Sequence, residues 1–226
     1  MILAIDTSTQ WMGISLFDGC LILYEKVWKT NRRHTVELSP AIANAFLDTG
    51  TDRKSLKGVA VALGPGSFTS LRIGLAVAKG LSLSLHIPLI GVPSLNITAR
   101  GIPAQDIDLI CLLRAGRGRF SAMRYLSVEG KWESSGELSV VSAHELEKSI
   151  TSRTLVCGEM DSDEKNILAR RWRNIQFADP PQNIRRPSIL ANIAYERFII
   201  EDFDDASSTI PIYLRTVKNI DSTIPV

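Results

Sequence analysis

Residues 64–85 read GPGSFTSLRIGLAVAKGLSLSL, and how this stretch folds decides how the rest is arranged. Gly64-Pro65-Gly66 is a turn signal, because glycine takes positive φ at little cost and proline pre-sets the angle between. Ser67 then stands where the N-cap of a following helix belongs. Wound as a helix, Leu71, Val77, Ala78, Leu81 and Leu85 form one stripe, the expected core face. The opposite side carries Thr69, Ile73, Ala76, Gly80 and Leu83 beside only Arg72 and Lys79. A helix apolar nearly all round is buried nearly all round. One face therefore belongs on the chain's own sheet, and the other against a second helix of this chain or a partner protein.

Working outward, Gly58–Leu63 reads as a buried strand before the turn and Pro88–Val92 as one after the helix. Pro93-Ser94 opens a short helix, Ser94–Arg100. Upstream, Ile2–Ile5 is a short apolar strand, Asp6–Thr9 turns it, and Gly13–Phe17 is a second strand. Asp18-Gly19 is a two-residue hairpin signal into Leu21–Val27. Lys29–Arg33 connects to a helix from His34 to Asp48. There, either Ser39 caps with Pro40 at the first helical position, or the helix starts earlier and Pro40 kinks it. Its apolar residues (Val36, Leu38, Ile42, Ala43, Ala45, Phe46, Leu47) again cover more than one face. After Gly101-Ile102-Pro103 the order of elements repeats. Ile107–Leu113, Phe120–Val128 and Trp132–Val141 are expected strands, and Ala143–Ile150 a helix. Thr154–Cys157, the helix Asp163–Trp172, Ile175–Ala178 and the helix Ser188–Glu201 follow. Two runs of the order βββαβαβα imply an α/β protein of duplicated ribonuclease-H-like lobes, mixed sheets flanked by helices, over residues 1–103 and 104–226. The second lobe would hold the last helix and a tail that frays.

The 226 residues, 45% hydrophobic and 22% charged with a formal charge of +2, are those of an ordinary globular protein with no global polyanion-binding signature. Cys20, Cys111 and Cys157 lie far apart without a CxxC, so buried thiols in a reducing compartment are expected rather than disulfides or zinc. MILAIDTST lacks a basic n-region, and Arg72 and Lys79 interrupt the longest apolar run. Neither a signal peptide nor a membrane span is expected, and the setting is cytoplasmic.

Chemistry-bearing motifs are few. Asp6, Thr7 and Ser8 could hold a phosphate with a hydrated Mg²⁺, or could simply close an Asx-type turn. Gly64, Gly66 and Ser67 could receive an anion at a helix N-terminus, although packing and capping explain them as well, and no Walker loop or GxGxxG follows. His34, His86 and His144 fall in separate elements without metal-ligand spacing, and read as surface or capping residues. No GxSxG elbow is present and no cysteine has a nearby histidine, so a metal-dependent or nucleophilic site is not expected. Arg114, Arg117 and Arg119, with Arg124, form the local basic cluster at a strand-to-strand turn. It could meet RNA phosphates or an acidic partner, or be a solvated hairpin tip. Arg170-Arg171-Trp172-Arg173 reads as cations at a helix C-terminus.

Together, ILAIDTST (2–9), the single His34 opening the first long helix, ALGPGSFTSLRIGLAVAKGL (62–81), PLIGVPSL (88–95) and PIYLR (211–215) resemble the TsaB (YeaZ) family. The match is specific through residues 1–100 and looser in the second lobe. The resemblance implies the duplicated actin/Hsp70-like (ASKHA) fold and the bacterial pathway that makes threonylcarbamoyladenosine on tRNA. It also implies a non-catalytic scaffold for the catalytic subunit TsaD, which works with the ATPase TsaE. TsaD would dock on the first-lobe helices, as would a second copy in a homodimer, with tRNA engaged only indirectly. On this chain that surface is Thr35, Leu38, Ser39, Ile42, Phe46, Thr69, Arg72, Ile73, Ala76, Lys79 and Leu83. No cofactor is required; ATP or ADP with Mg²⁺ would enter only at a partner interface. The alternative is a small ATP-binding phosphotransferase of the same superfamily. The chain departs from the family where acids and a tyrosine give way to Arg114, Arg119 and Ser121, a reversal that could mark a co-adapted partner.

Overall fold

The computed structural model describes residues 1–171 and 173–213; Trp172, and Leu214 and Arg215 of the PIYLR motif, lie outside the described residues. Strands β1 (Ile2–Asp6), β2 (Trp11–Phe17), β3 (Ile22–Lys29), β4 (Gly58–Gly64) and β5 (Leu89–Pro93) form one sheet in the order β3-β2-β1-β4-β5. The first three are antiparallel, and β4 and β5 run parallel to β1. Strands β6 (Asp108–Gly116), β7 (Arg119–Val128), β8 (Lys131–Ser142), β9 (Thr154–Gly158) and β10 (Ile175–Phe177) repeat the pattern as β8-β7-β6-β9-β10. The helices fall in matching places: α1 (His34–Thr49), α2 (Phe68–Leu85) and α3 (Ser94–Arg100) in the first half, α4 (Ala143–Ser149), α5 (Ser162–Leu168) and α6 (Pro187–Phe198) in the second. The α/β class and the repeated order are those read from the sequence.

The β1 strand is buried throughout, as a strand covered on both sides must be. Leu3 and Ile5 face α1 and α2, joined by Met12, Ile14, Leu16, Val59 and Val61. Ile2 and Ala4 face the other way, against Leu190, Ala191 and Ala194 of α6 and Ile97 of α3. The helix assigned to the second lobe thus packs on the first sheet. Reciprocally, α3 inserts Leu95 and Ala99 among Leu109, Cys111, Leu113 and Tyr125 of the second sheet. A boundary near residue 103 divides the sheets but not the helices that cross between them. Cys111 and Cys157 lie on adjacent strands with sulfurs 3.4 Å apart, free and buried, whereas Cys20 is exposed, against expectation.

Several local readings are corrected. The β2–β3 connection takes four residues rather than two, because the Asp18 carboxylate accepts from the N–H groups of both Cys20 and Leu21 and opens the turn. Helix α1 starts at His34 with Pro40 inside it, the second of the two alternatives; Pro40 lies on the exposed side. Helix α2 buries Ser70, Leu71, Gly74, Leu75, Ala78 and Ser82; Val77 and Leu81 are at the margin and Leu85 is exposed. The stripe is rotated because small residues, not the largest apolar ones, face the closest contact. A Cβ on Gly74 would lie 2.2 Å from Thr7 Oγ1. By length and composition α2 would pass for a bilayer-crossing helix. Its Leu71–Leu75–Ala78 line, however, is packed in the first lobe, each fully buried leucine contributing roughly 2 kcal/mol.

Beyond α6 the chain covers an edge. Asp204 donates its N–H to Leu89 O, and its carboxylate accepts from Gly91 N, so the open side of β5 is capped. The chain then crosses to the α1/α2 side, where Ala206 joins the core and Ile212 N–H bonds Leu63 O at 2.7 Å. The tail is tied down at least as far as Tyr213.

Candidate functional site

The first turn is closed by its own groups. Asp6 Oδ1 accepts from Ser8 N at 2.8 Å, the Asx turn among the two readings. Thr7 Oγ1 donates to Ser70 O at 2.8 Å, and Ser8 Oγ pairs with Ser94 Oγ at 2.6 Å. All three residues are buried. The Gly64–Ser67 turn docks into this one: Ser67 N–H bonds Ser8 O, Gly64 N–H bonds Ser94 Oγ, and a Cβ on Gly66 would sit 2.2 Å from Ser8 O. Ser67 does hold the N-cap position, but its hydroxyl accepts from Ser70 Oγ rather than from a backbone N–H. The donors expected to cradle a phosphate serve instead to press α2 onto β1.

A residue that sequence reading missed completes the site. Arg185, on the segment leading into α6, is buried, and its Nε donates to Asp6 Oδ2 at 2.7 Å. Nη1 donates to Glu159 Oε1 at 2.7 Å, and Nη2 to Thr9 Oγ1 at 3.0 Å. Thr9 Oγ1 in turn donates to Glu159 at 2.6 Å. Burial alone pulls a guanidinium toward neutrality, but Asp6 and Glu159 together overcome that and hold Arg185 firmly protonated. The one available signal was Asp6 itself, an acid ending a wholly apolar strand, which must find a cation if it is buried.

Above this network lies a cleft of about 960 Å³ between the lobes, lined by Trp11, Lys29, Arg32, Phe68, Arg114 and Met160 among others. His34, read as a surface or capping residue, is instead buried beside it with Nε2 2.9 Å from Thr9 O, and Arg33 holds the N-cap position of α1. Arg114 is no free cation. It donates to Glu164 at 2.5 Å and Asp161 at 3.0 Å, acids that also form the capping box of α5. The reversed charge at this position is balanced inside the chain by these two acids. Arg117 stands exposed at the tip of the β6–β7 turn with φ 52°, while Arg119 is half-buried at the start of β7 and lies near Glu145. Downstream, Arg171 pairs with Glu147 at 2.7 Å.

The α1/α2 surface is partly as expected. Thr35, Ser39, Thr69, Arg72, Ala76 and Leu83 are exposed, and Ile73 and Lys79 half-buried. Leu38, Ile42 and Phe46 are not on it: they are buried in the first-lobe core. Val36, Leu47 and Phe68 take their place, exposed at 57%, 71% and 52%. The outer side of α2 is flanked by the tail. Arg72 Nε donates to Tyr213 Oη at 3.0 Å and its guanidinium lies 3.8 Å over the Phe68 ring, which packs 4.8 Å from Tyr213. Lys79 Nζ reaches Ser207 O at 3.4 Å.

Comparison with known proteins adds a family to this geometry. Residues 28–165 match a family model described as TsaD, tRNA N6-adenosine threonylcarbamoyltransferase. The chain is 31% identical over 221 residues to the tRNA threonylcarbamoyladenosine biosynthesis protein TsaB of Bacillus subtilis, covering 96% of this chain and 95% of that one. It is 37% identical over 101 residues to TsaB of Escherichia coli, 44% of this chain and 43% of the relative. The solved structure of YeaZ from Pseudomonas aeruginosa superposes with a TM-score of 0.74 at 19% identity, over 94% of this chain and 99% of that one.

Proposed function

The chain belongs to the TsaB family, and on that premise we propose that it is a non-catalytic subunit that binds a TsaD-type catalytic subunit through α1 and α2. Its place is in tRNA threonylcarbamoyladenosine biosynthesis. The observation that carries the reading is the apolar surface of those helices, with Val36, Leu47, Phe68 and Leu83 all more than half exposed. Four large apolar side chains left exposed on two neighbouring helices support an interaction surface rather than ordinary solvated helix. An interface of standard size buries about 1,600 Å² in total. The same face serves a second copy when no TsaD is present, and a TsaE-like ATPase joins the assembled pair. Free, buried Cys111 and Cys157 suit the reducing cytoplasm in which tRNA is modified. The alternative phosphotransferase reading is opposed by the first turn, whose hydroxyls and carboxylate are already bonded within the chain.

Ala76→Arg and Leu83→Asp test the assignment, since both residues are exposed and neither supports the core. Each variant is expected to melt with the parent protein yet to lose co-elution with purified TsaD on gel filtration. Ile73→Asp is a poorer probe, because Ile73 is half-buried against the core. Unchanged co-elution of both exposed-site variants refutes the assignment of this face.

A further inference from the structure

In the duplicated ribonuclease-H-like fold, a nucleotide's phosphates and its magnesium ion would sit in the cleft, against the acid that ends the first strand. The residues of this chain do not fit that group. One Asp6 oxygen accepts from Ser8 N and the other from Arg185. The Gly66 approach is taken by Ser8 O, and the Thr7 hydroxyl is turned into α2. A fixed cation already stands where the metal's charge would act.

We propose that Arg185 is a built-in clasp, its guanidinium holding the two lobes together in place of a ligand. Its three donors reach three acceptors from both sides of the cleft: Asp6 and Thr9 of the first lobe, and Glu159, the residue after β9, of the second. The planar fork of arginine suits such a three-way contact, whereas a lysine ammonium would be a single point charge. The position also matters. Arg185 lies where the chain leaves the second sheet for α6, the helix packed on the first. The neighbouring Arg186 is bound to Glu25 of β3, which also accepts from the Ser188 N–H and hydroxyl. Burial raises the affinity of Glu25 for a proton, but these hydrogen bonds outweigh it and keep the carboxylate ionised below its usual range. The crossing segment is thus pinned into the cleft floor by one arginine and to the sheet by the next. The lobes keep one arrangement without nucleotide, and the cleft's acidic pair is unavailable to metal while Arg185 is present.

The test uses the full chain and does not depend on partner binding, so its result is separate from that of the scaffold reading. Arg185→Met leaves the Asp6 and Glu159 carboxylates, both bonded to that guanidinium in the parent, without their cation, and a divalent ion would be the charge able to replace it. This variant is expected to melt roughly 10 °C below the parent and to recover much of that loss in millimolar Mn²⁺ or Mg²⁺. Small-angle scattering should show it more open without metal than with it, while the parent responds to neither ion. An Arg185→Met protein that melts with the parent, or is lowered equally with and without metal, overturns the proposal. So does a parent protein stabilised by Mg²⁺. If Arg185→Met does not fold, the triple change Asp6→Asn, Glu159→Gln, Arg185→Met removes all three charges together and should restore a cooperative melt. Failure of the triple variant to fold shows that Arg185 acts only by filling space, and overturns the clasp as well.

Discussion

The two halves of the chain share a strand order and differ in what hangs on it. Between the third and fourth strands, and again between the fourth and fifth, the first half carries helices of 16 and 18 residues. The second half carries helices of 7 residues in both places. At a rise of about 1.5 Å per residue, that is roughly 27 Å for α2 against roughly 10 Å for α5. Each short helix opens on a complete capping box, Ser142 with Glu145 and Asp161 with Glu164. Neither long helix has a side-chain cap on its backbone. Two turns have little packing to hold them, so their ends must be satisfied locally; a long helix is held by its buried face. Two turns are also enough to cover this sheet. The outer faces of the long helices carry Val36, Leu47 and Leu83, whereas the outer residues of α4 are His144, Glu145, Lys148 and Ser149. The longer pair of helices is also the pair that keeps large apolar side chains exposed.

The comparison breaks most severely at Gly74, where α2 touches the first turn. Gly74→Ala puts a methyl into Thr7, a buried side chain already bonded to Ser70 O. Better helix propensity offsets about 1 kcal/mol, against overpacking of about 1–3 kcal/mol and the loss of a buried hydrogen bond. A net destabilisation of about 2 kcal/mol is expected in urea unfolding. Gly80→Ala, in the same helix, meets nothing within 4 Å and is expected to stabilise by up to about 1 kcal/mol. If the two substitutions shift the midpoint in the same direction, α2 is not seated as described.

These two glycines also show how far the sequence could be read. The element order was legible because β-strand runs, Gly/Pro turns and helical periods are local signals, and Ile2–Asp6, Gly58–Gly64 and Ser94–Arg100 fall where those signals put them. The rotation of α2 was not, since periodicity counts Leu85 and ignores Gly74 and Ser70, the residues that make the close contact with Thr7. The width of the α1 arc correctly announced surplus apolar surface but not which edge of it is outside. Leu38, Ile42 and Phe46 go in, packed with the first sheet and α2, while Val36 and Leu47 stay out. The Asp6–Arg185 pair spans 179 residues, and Arg114 meets Asp161 and Glu164 47 and 50 residues on. No local pattern connects such partners, so nothing near Arg185 or Arg114 in the sequence points to the acids that hold them.

Those two arginines sharpen the contrast between lobes. In the first an acid at the strand end is matched by a buried arginine; in the second a partly exposed arginine is matched by one exposed acid, Asp161, and one buried one, Glu164. Burial opposes the Arg114 charge, but Glu164 and Asp161 outweigh it and hold the guanidinium protonated. Because its side chain is 35% exposed, solvent screening limits what the pair contributes. Arg114→Ala is expected to cost about 1 kcal/mol in dilute buffer and less in high salt. A salt-independent loss as large as that of Arg185→Met would erase the distinction between a buried clasp and a surface pair.

The smallest effect concerns the tail that flanks α2. The Asp205 carboxylate is held down to about 2 by the Ser207 hydroxyl, the Ser207 N–H and the Ser208 hydroxyl, in that order. A depressed folded-state value means that the turn at 205–209 is supported fully above the ordinary carboxylate range near 4. That support fades as pH falls through about 2. A carboxyl NMR titration should therefore give Asp205 a midpoint about two units below a free aspartate, moving back toward the ordinary value in the Ser207→Ala, Ser208→Ala double variant. A midpoint near 4 in the parent protein would mean the turn is not formed in solution. The Lys79–Ser207 contact would then be lost, and more of α2 would be open to a partner than the folded tail allows.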